Sequence, residues 1–232
     1  MIITIDGPVA TGKSTIAKKL ANALGYIYYD TGAMYRALSL DALRKKVDLS
    51  DEEALLKFLE GFNFKVKMHH GDRRYFIDGE EVTDDIRTEV VSNAASKVSA
   101  IPKVREKLVE LQRNLSKGVN AVFEGRDMGT VVFPDADLKI YLVGDDKVRA
   151  ERRFQELKAK FPEEAKSMTL DEVLQDLRLR DEFDMTREAS PLKKADDAFE
   201  IDTTHATLDE LVYKILECKD IAATRRKKQQ EM

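Results

Sequence analysis

The stretch GPVATGKST, Gly7 to Thr15, constrains this chain more than any other. Gly7, Gly12, Lys13 and Ser14 satisfy the pattern G-x-x-x-x-G-K-[ST], with Pro8, Val9, Ala10 and Thr11 between the glycines. Before it lies IITID, a short apolar run of the kind a buried strand shows. After it, Ile16, Leu20 and Leu24 recur every four residues up to Gly25, as in a helix closed by glycine. Strand, glycine loop and helix in that order form a phosphate cradle, because the loop turns its N–H groups inward and the helix adds its positive dipole end. Residues Gly7 to Thr15 are therefore expected to bind ATP. Lys13 would reach the β- and γ-phosphates, the Ser14 hydroxyl would hold Mg²⁺ directly, and Thr15 would donate to the α-phosphate. The loop alone does not tell a kinase from a GTPase switch or a mechanical ATPase.

The rest of the chain alternates strand and helix patterns. Further strands are expected at YIYYD, NAVFEG, LKIYLVG and AFEID. Helices are expected at AMYRALSLDALRKK, at EEALLKFLE behind a Ser50–Glu53 capping box, and over 85–117 with a break at Pro102. The charged segment DDKVRAERRFQELKAKF follows, then DEVLQDLRLRD behind Thr169–Glu172 and LDELVYKILE behind Thr207–Glu210. This order predicts an α/β fold with about five parallel strands and helices on both faces. Residues 62–84 break the pattern. FKVKMHH alternates, with Phe64, Val66 and Met68 on one face, and Asp78-Gly79 is a strong hairpin signal, so a small antiparallel sheet is expected there as an insert. In parallel α/β sheets ligands sit at the carboxyl ends of the strands. Asp6-Gly7, Asp30-Thr31 and Glu124 to Asp127 each follow a strand and are expected at one rim.

Composition narrows the function class. A chain of 232 residues with 43% hydrophobic and 35% charged residues can bury a real core. No apolar run nears the roughly 20 residues that span a bilayer, and no signal-peptide pattern precedes the loop, so a cytoplasmic protein is expected. One cysteine (Cys218) and three scattered histidines make neither a disulfide nor a zinc site. His69 and His70 are expected at a solvated strand end. A net charge of −4 argues against a general nucleic-acid binder. The basic tail ATRRKKQQEM is expected to fray. Without a sustained heptad or a large apolar stripe, a monomer is expected.

The absence of N-K-x-D disfavours a Ras-like GTPase. Two carboxylates follow strands where a second magnesium contact would lie: Asp30, possible through water, and Glu124. For Asp30 the competing role is to cap the next helix. A kinase also needs cations for two converging phosphate groups, and the arginine fork suits that task. Arg36, Arg126, Arg180 and Arg187 lie beside strand ends or in a lid segment; Arg149, Arg152 and Arg153 either join them or are simply solvated on a charged helix.

Four stretches carry a family resemblance: DTGAMYR (Asp30 to Arg36), IPKVRE (Ile101 to Glu106), EGRDMGTVVFPDA (Glu124 to Ala136) and RDEFDMTREASPL (Arg180 to Leu192). The chain resembles the bacterial cytidylate kinases over nearly its whole length. That resemblance implies a nucleoside monophosphate kinase fold as one domain over 1–232, with a monophosphate-binding insert at 35–99 and a helical lid at 150–188. It implies transfer of the ATP γ-phosphate to CMP or dCMP. By matched motif, Lys13, Arg126, Arg180 and Arg187 serve catalysis; Thr31 contacts the acceptor and Arg36 and Arg126 hold its phosphate. Ser96, Arg105 and Asp127 read cytosine, and Asp184 contacts the sugar with Arg180 and Arg187 bridging sugar and phosphates. Chemistry agrees for the base: Asp127 can accept from N4, and Arg105 can donate to N3 or O2. Two departures stand out: Phe183 and Met185 occupy lid positions where arginine is usual in the family, and Val9-Ala10-Thr11 replace smaller loop residues, Thr11 being tolerable at negative φ. Competing functions are a UMP or other small-molecule kinase on the same fold, or a P-loop ATPase switch.

Overall fold

The computed structural model describes residues 1–69 and 72–230. His70 and the last two residues of the basic tail lie outside the described residues.

From the N-terminus the chain forms β1 (Ile2–Asp6), α1 (Lys13–Leu24), β2 (Ile27–Asp30), α2 (Thr31–Lys45) and α3 (Glu52–Gly61). Next come β3 (Phe64–His69), β4 (Asp72–Ile77), β5 (Glu80–Glu81), α4 (Glu89–Val98) and α5 (Pro102–Leu115). Then follow β6 (Ala121–Gly125), β7 (Leu138–Val143), α6 (Asp146–Lys160), α7 (Leu170–Thr186), β8 (Phe199–Asp202) and α8 (Leu208–Gln230). Two compact units result: Met1–Tyr29 with Ser116–Met232, and Asp30–Leu115.

The first unit is built on a five-stranded sheet in the order β2-β6-β1-β7-β8. β1 pairs in parallel with β6 and β7, which sets Asp6 opposite Gly125 on one side and Tyr141 on the other. Alternation along β1 decides what each face packs. Ile3 and Ile5 are fully buried in one apolar cluster with Ile16 and Leu20 of α1 and Leu211 and Ile215 of α8. Burying such a side chain contributes on the order of 1.5–3 kcal/mol. On the other face Phe123 of β6 stacks on Tyr29, with centroids 4.6 Å apart, and meets Phe133 at 4.5 Å. α1 ends at Gly25, whose φ of 66° lets its N–H reach the Ala21 and Asn22 carbonyls.

The second unit holds its own core, in which Met34 and Leu38 of α2, Phe58 of α3, Tyr75 of β4 and Leu108 of α5 are buried together. β3, β4 and β5 form the expected antiparallel sheet. Asp78 and Gly79 both take left-handed φ values, 51° and 90°, as a two-residue hairpin turn requires.

Three expectations needed correction. Ser50 does not cap α3. Asp51 does, accepting from the Glu53 and Ala54 N–H groups, while the Ser50 hydroxyl bonds Asp48; the helix begins at Glu52 as expected, and the residue directly before it, a carboxylate, takes the cap. Met68 shares the face of Phe64 and Val66 on β3 but is 60% exposed, since the apolar cluster takes up Phe64 and Val66 and stops short of it. The tail does not fray at Ala223: α8 continues through Gln230. The capping boxes at Thr169–Glu172 and Thr207–Glu210 are both formed. No described helix is long and apolar enough to cross a membrane.

Candidate active site

The phosphate loop leaves β1 at Gly7, whose φ is 150°. A Cβ at this position would stand 2.4 Å from the Leu142 carbonyl oxygen, so only glycine lets the chain turn so close to β7. The loop closes on Gly12, left-handed at φ 85°, which is the N-cap of α1 and offers no side-chain cap to the first turn. Its leading N–H groups are thus available to an anion. Thr11 keeps φ negative, as its tolerance requires, and the left-handed residue is Ala10 at φ 57°. Ser14 and Thr15 are exposed where Thr11, Lys13 and Ile16 are buried.

Lys13 is 6% exposed, and its Nζ donates to the Pro8 carbonyl at 2.6 Å. Burial first, and then the Arg126 charge, lower its pKa to about 7, against the pull of Glu124, Asp184 and Asp181. A phosphate chain would remove that strain by supplying the missing negative charge.

β6 ends beside the loop. Glu124 accepts a hydrogen bond from the buried Tyr28 hydroxyl of β2. Past Asp127 the chain makes one wide turn at Met128–Val132, with Val132 N–H donating to the Asp127 carbonyl at 3.1 Å and Phe133 N–H to Met128 at 2.7 Å. Asp6 holds the start of that turn: its two oxygens accept from Met128 N–H at 2.9 Å and Gly129 N–H at 2.8 Å. Burial pushes the Asp6 pKa up to about 7 in spite of both donors. Gly129 fits because a Cβ there would lie 3.1 Å from the Thr4 hydroxyl and 3.2 Å from Lys139 Cδ. The turn explains why M-G-T-V-V follows Arg126 and Asp127, and Asp127 itself is 2% exposed.

Arg126 donates through Nε to Asp184 at 2.8 Å. Arg187 reaches the other Asp184 oxygen at 3.5 Å and donates through Nε to the Ser190 carbonyl at 2.9 Å. Burial opposes ionisation of Asp184, yet the charges of Arg126, Arg187 and Arg180 hold its carboxyl below the usual range. Of the residues expected in this unit, the structure thus gathers Lys13, Arg126, Arg180, Asp184 and Arg187 into one charged group. Phe183 and Met185 expose their apolar side chains on α7.

In the second unit Asp30 is the N-cap of α2. One oxygen accepts from Ala33 N–H at 2.9 Å and the other from Arg36 at 2.8 Å. Burial works against its charge, but Arg36, the Ala33 N–H and Arg87 hold its carboxyl below the usual range. The cap thus takes one oxygen and Arg36 the other. Gly32 leaves room for this arm, since a Cβ would lie 3.0 Å from the Arg36 guanidinium. Thr31 is buried at the start of the same helix. Arg105 is 4% exposed, donates to the Ser99 carbonyl at 3.0 Å and stands 5.5 Å from the Tyr35 ring centroid. Ser99 in turn donates to the Ser96 carbonyl at 2.7 Å, so the expected base readers Ser96 and Arg105 are joined through one serine.

Sequence reasoning missed several contributors. Asp6 was legible only as a strand-end carboxylate. Tyr28, Tyr35, Ser99 and Asp181 carried no local signal. Arg149 was left between two roles, and the structure buries it at 4% exposure. Arg152 donates to the Thr203 carbonyl at 2.7 Å, and Arg153 pairs with Glu156 at 3.0 Å.

A central parallel strand feeding a phosphate loop and a helix, with Arg126 just past β6 beside the loop lysine and joined through Asp184 to the arginines of the α7 end, defines a P-loop phosphotransferase. The chain belongs to the cytidylate kinase family, whose family model matches residues 3–220. It is 59% identical to a cytidylate kinase of Protochlamydia amoebophila, over 97% of this chain and 99% of that one. It is 52% identical to a cytidylate kinase of Chloroherpeton thalassium, over 94% and 92% of the two chains. A third relative, the cytidylate kinase of Lactobacillus johnsonii, is 46% identical over 94% and 93%.

Proposed function

We propose that this protein transfers the γ-phosphate of ATP to CMP or dCMP, yielding ADP and CDP or dCDP. The observation that carries the proposal is the pairing of a phosphate loop with Arg126 and Asp127, held at the same rim of the sheet by Asp6. In this scheme Gly7 to Thr15 wrap the ATP phosphates and Lys13 meets the β- and γ-phosphates. Ser14, exposed at a helix start no side chain caps, suits a metal-bearing phosphate chain, and its hydroxyl would hold Mg²⁺. Bound Mg²⁺ would neutralise charge on the transferring group. Asp30 we assign to orienting Arg36 rather than to the metal.

For the acceptor, Thr31 and Arg36 of the Asp30–Leu115 unit and Arg126 of the other are assigned to its phosphate. Ser96, Arg105 and Asp127 are assigned to cytosine, and Asp184 with Arg180 and Arg187 to sugar and phosphates. Residues 35–99 are assigned to monophosphate binding and 150–188 to a lid. The acceptor phosphate is already an anion, so no side chain must act as a strong base. The rate comes from in-line positioning and from Lys13 and the arginines. A uracil base would set an oxygen against the Asp127 carboxylate, which costs about 1–3 kcal/mol for an unpaired buried acceptor. Both substrates diffuse freely, so a cytoplasmic monomer without nucleic acid or membrane suffices.

A coupled ADP-release assay with CMP, dCMP, UMP, AMP and no acceptor tests this. CMP and dCMP should stimulate ADP release far above UMP, and Asp127→Ala should raise the KM for CMP at least tenfold with that for ATP little changed. Acceptor-independent hydrolysis without CMP stimulation would instead mark an ATPase switch.

A further inference from the structure

Val9 is gripped from outside the phosphate loop on both sides of its backbone. Its N–H donates to Asp181 Oδ1 at 2.9 Å, and its carbonyl accepts from Arg149 at 2.9 Å. The two side chains also bond each other, Arg149 to Asp181 Oδ2 at 2.6 Å. Arg149 completes its fork with the Gly144 carbonyl at 3.1 Å, just past β7, and with Asp146 Oδ1 at 2.5 Å. Asp146 then takes Arg178 of α7 at 3.0 Å on its other oxygen. Arg149 and Asp181 are 4% and 6% exposed. They come from α6 and α7, 140 and 172 residues along the chain from Val9.

Desolvating such a pair inside protein is unfavourable, so its hydrogen bonds must be well made for it to persist. Two of them are made to one residue of the loop, through the peptide groups on either side of Val9. Val9 precedes Ala10, the loop's left-handed non-glycine residue, and follows Pro8, whose carbonyl takes Lys13. Asp181 also sits directly after Arg180 and one helical turn before Asp184, which holds Arg126. Whatever fixes Asp181 against the loop therefore fixes the register of α7 and of the arginines it carries.

We propose that Arg149 and Asp181 are a positioning pair, which registers the α6–α7 arm and its Arg180, Asp184 and Arg187 to the ATP phosphate loop through the backbone of Val9. The proposal rests on the kinase function given above. Neither residue needs to touch substrate. Loss of the pair should affect the ATP side of the reaction and the chemical step most, and acceptor binding less, since the acceptor also keeps contacts assigned outside the arm, to Arg36 and Arg105.

The test is steady-state kinetics of Arg149→Lys, Asp181→Asn and the double variant, below each variant's thermal midpoint, with Mg-ATP titrated calorimetrically into each. Lysine keeps the charge and stem of Arg149 but cannot make its forked bonds; asparagine keeps an acceptor for Val9 N–H but not the ion pair. Each single variant should raise the KM for ATP and the Mg-ATP Kd at least fivefold and lower kcat, with a smaller rise in the KM for CMP. The double variant should be no worse than the poorer single one, since the residues act as a unit. Folded variants with both KM values and kcat within twofold of wild type would overturn the proposal. So would a KM for CMP that rises as much as that for ATP, the mark of a generally loosened fold. If wild type shows no CMP-dependent turnover, the kinase function fails; the titration still decides the pair, because unchanged Mg-ATP affinity in the variants would overturn it separately.

Discussion

Asp6 lies where two demands meet. Two N–H groups of the Met128 turn need an acceptor, and complete burial disfavours its charge. Burial prevails, and the pKa rises from 3.8 to about 7. A folded-state pKa above the unfolded one means that folding favours the protonated form. The Asp6 contribution to stability is therefore complete below pH 3.8 and is lost as pH rises through about 7. Asp6→Asn cannot ionise. The stability of wild type relative to this variant should fall between pH 4 and 7.5, by on the order of 4 kcal/mol if the whole shift is realised. Denaturant unfolding of both proteins across that range measures it, and a pH-independent difference would show that Asp6 titrates normally. None of this was visible locally, because the donors to Asp6 lie 122 and 123 residues away. The roles of Gly7, Gly12 and Lys13 were legible for the opposite reason: a nine-residue loop sets its own shape.

At the scale of elements, the phosphate loop depends on how near β1 runs to β7. Gly7→Ala would press a Cβ to 2.4 Å from the Leu142 carbonyl, which is backbone and cannot swing aside. Gly118, at φ 72°, has nothing within 4 Å of its would-be Cβ. Alanine at Gly118 should cost only the left-handed backbone term, about 1–2 kcal/mol. Alanine at Gly7 should cost more, about 3 kcal/mol or greater, and should weaken Mg-ATP binding as well. Equal losses in thermal or denaturant unfolding would refute the steric account. Strands and helices were largely readable from periodicity, and the hairpin from Asp78-Gly79. The wide turn after Asp127 was not, since its five-residue hydrogen bonds arise from Asp6 and from the tight seat of Gly129 over Thr4 and Lys139.

At the scale of the molecule, the chain leaves its parallel sheet after Tyr29, builds a second unit with its own core, and returns at Ser116. The phosphate loop belongs to the discontinuous unit, so a ligand there stabilises a core whose strands come from both ends of the sequence. Mg-ATP at 100 times its Kd should add about 2.7 kcal/mol to that unit. The thermal midpoint should then rise by several degrees, on the order of 2–4 °C per kcal/mol for a chain of this size. Lys13→Ala should lose most of that shift along with turnover. A full shift in Lys13→Ala would separate nucleotide binding from the lysine.

The sequence by itself determined the loop, the alternation of strand and helix, the antiparallel insert and the family, because each rests on spacing within a few residues or on motifs that read in order. Tertiary structure decided which charges meet. Asp184 with Arg126, Arg149 with Asp181 at Val9, and Asp6 beneath Gly129 are pairings across 32 to 172 residues. Burial then gave them their energies: a carboxylate or guanidinium that would be solvated on an open helix must find its partner once water is removed, and only the packed sheet specifies which partner is within reach.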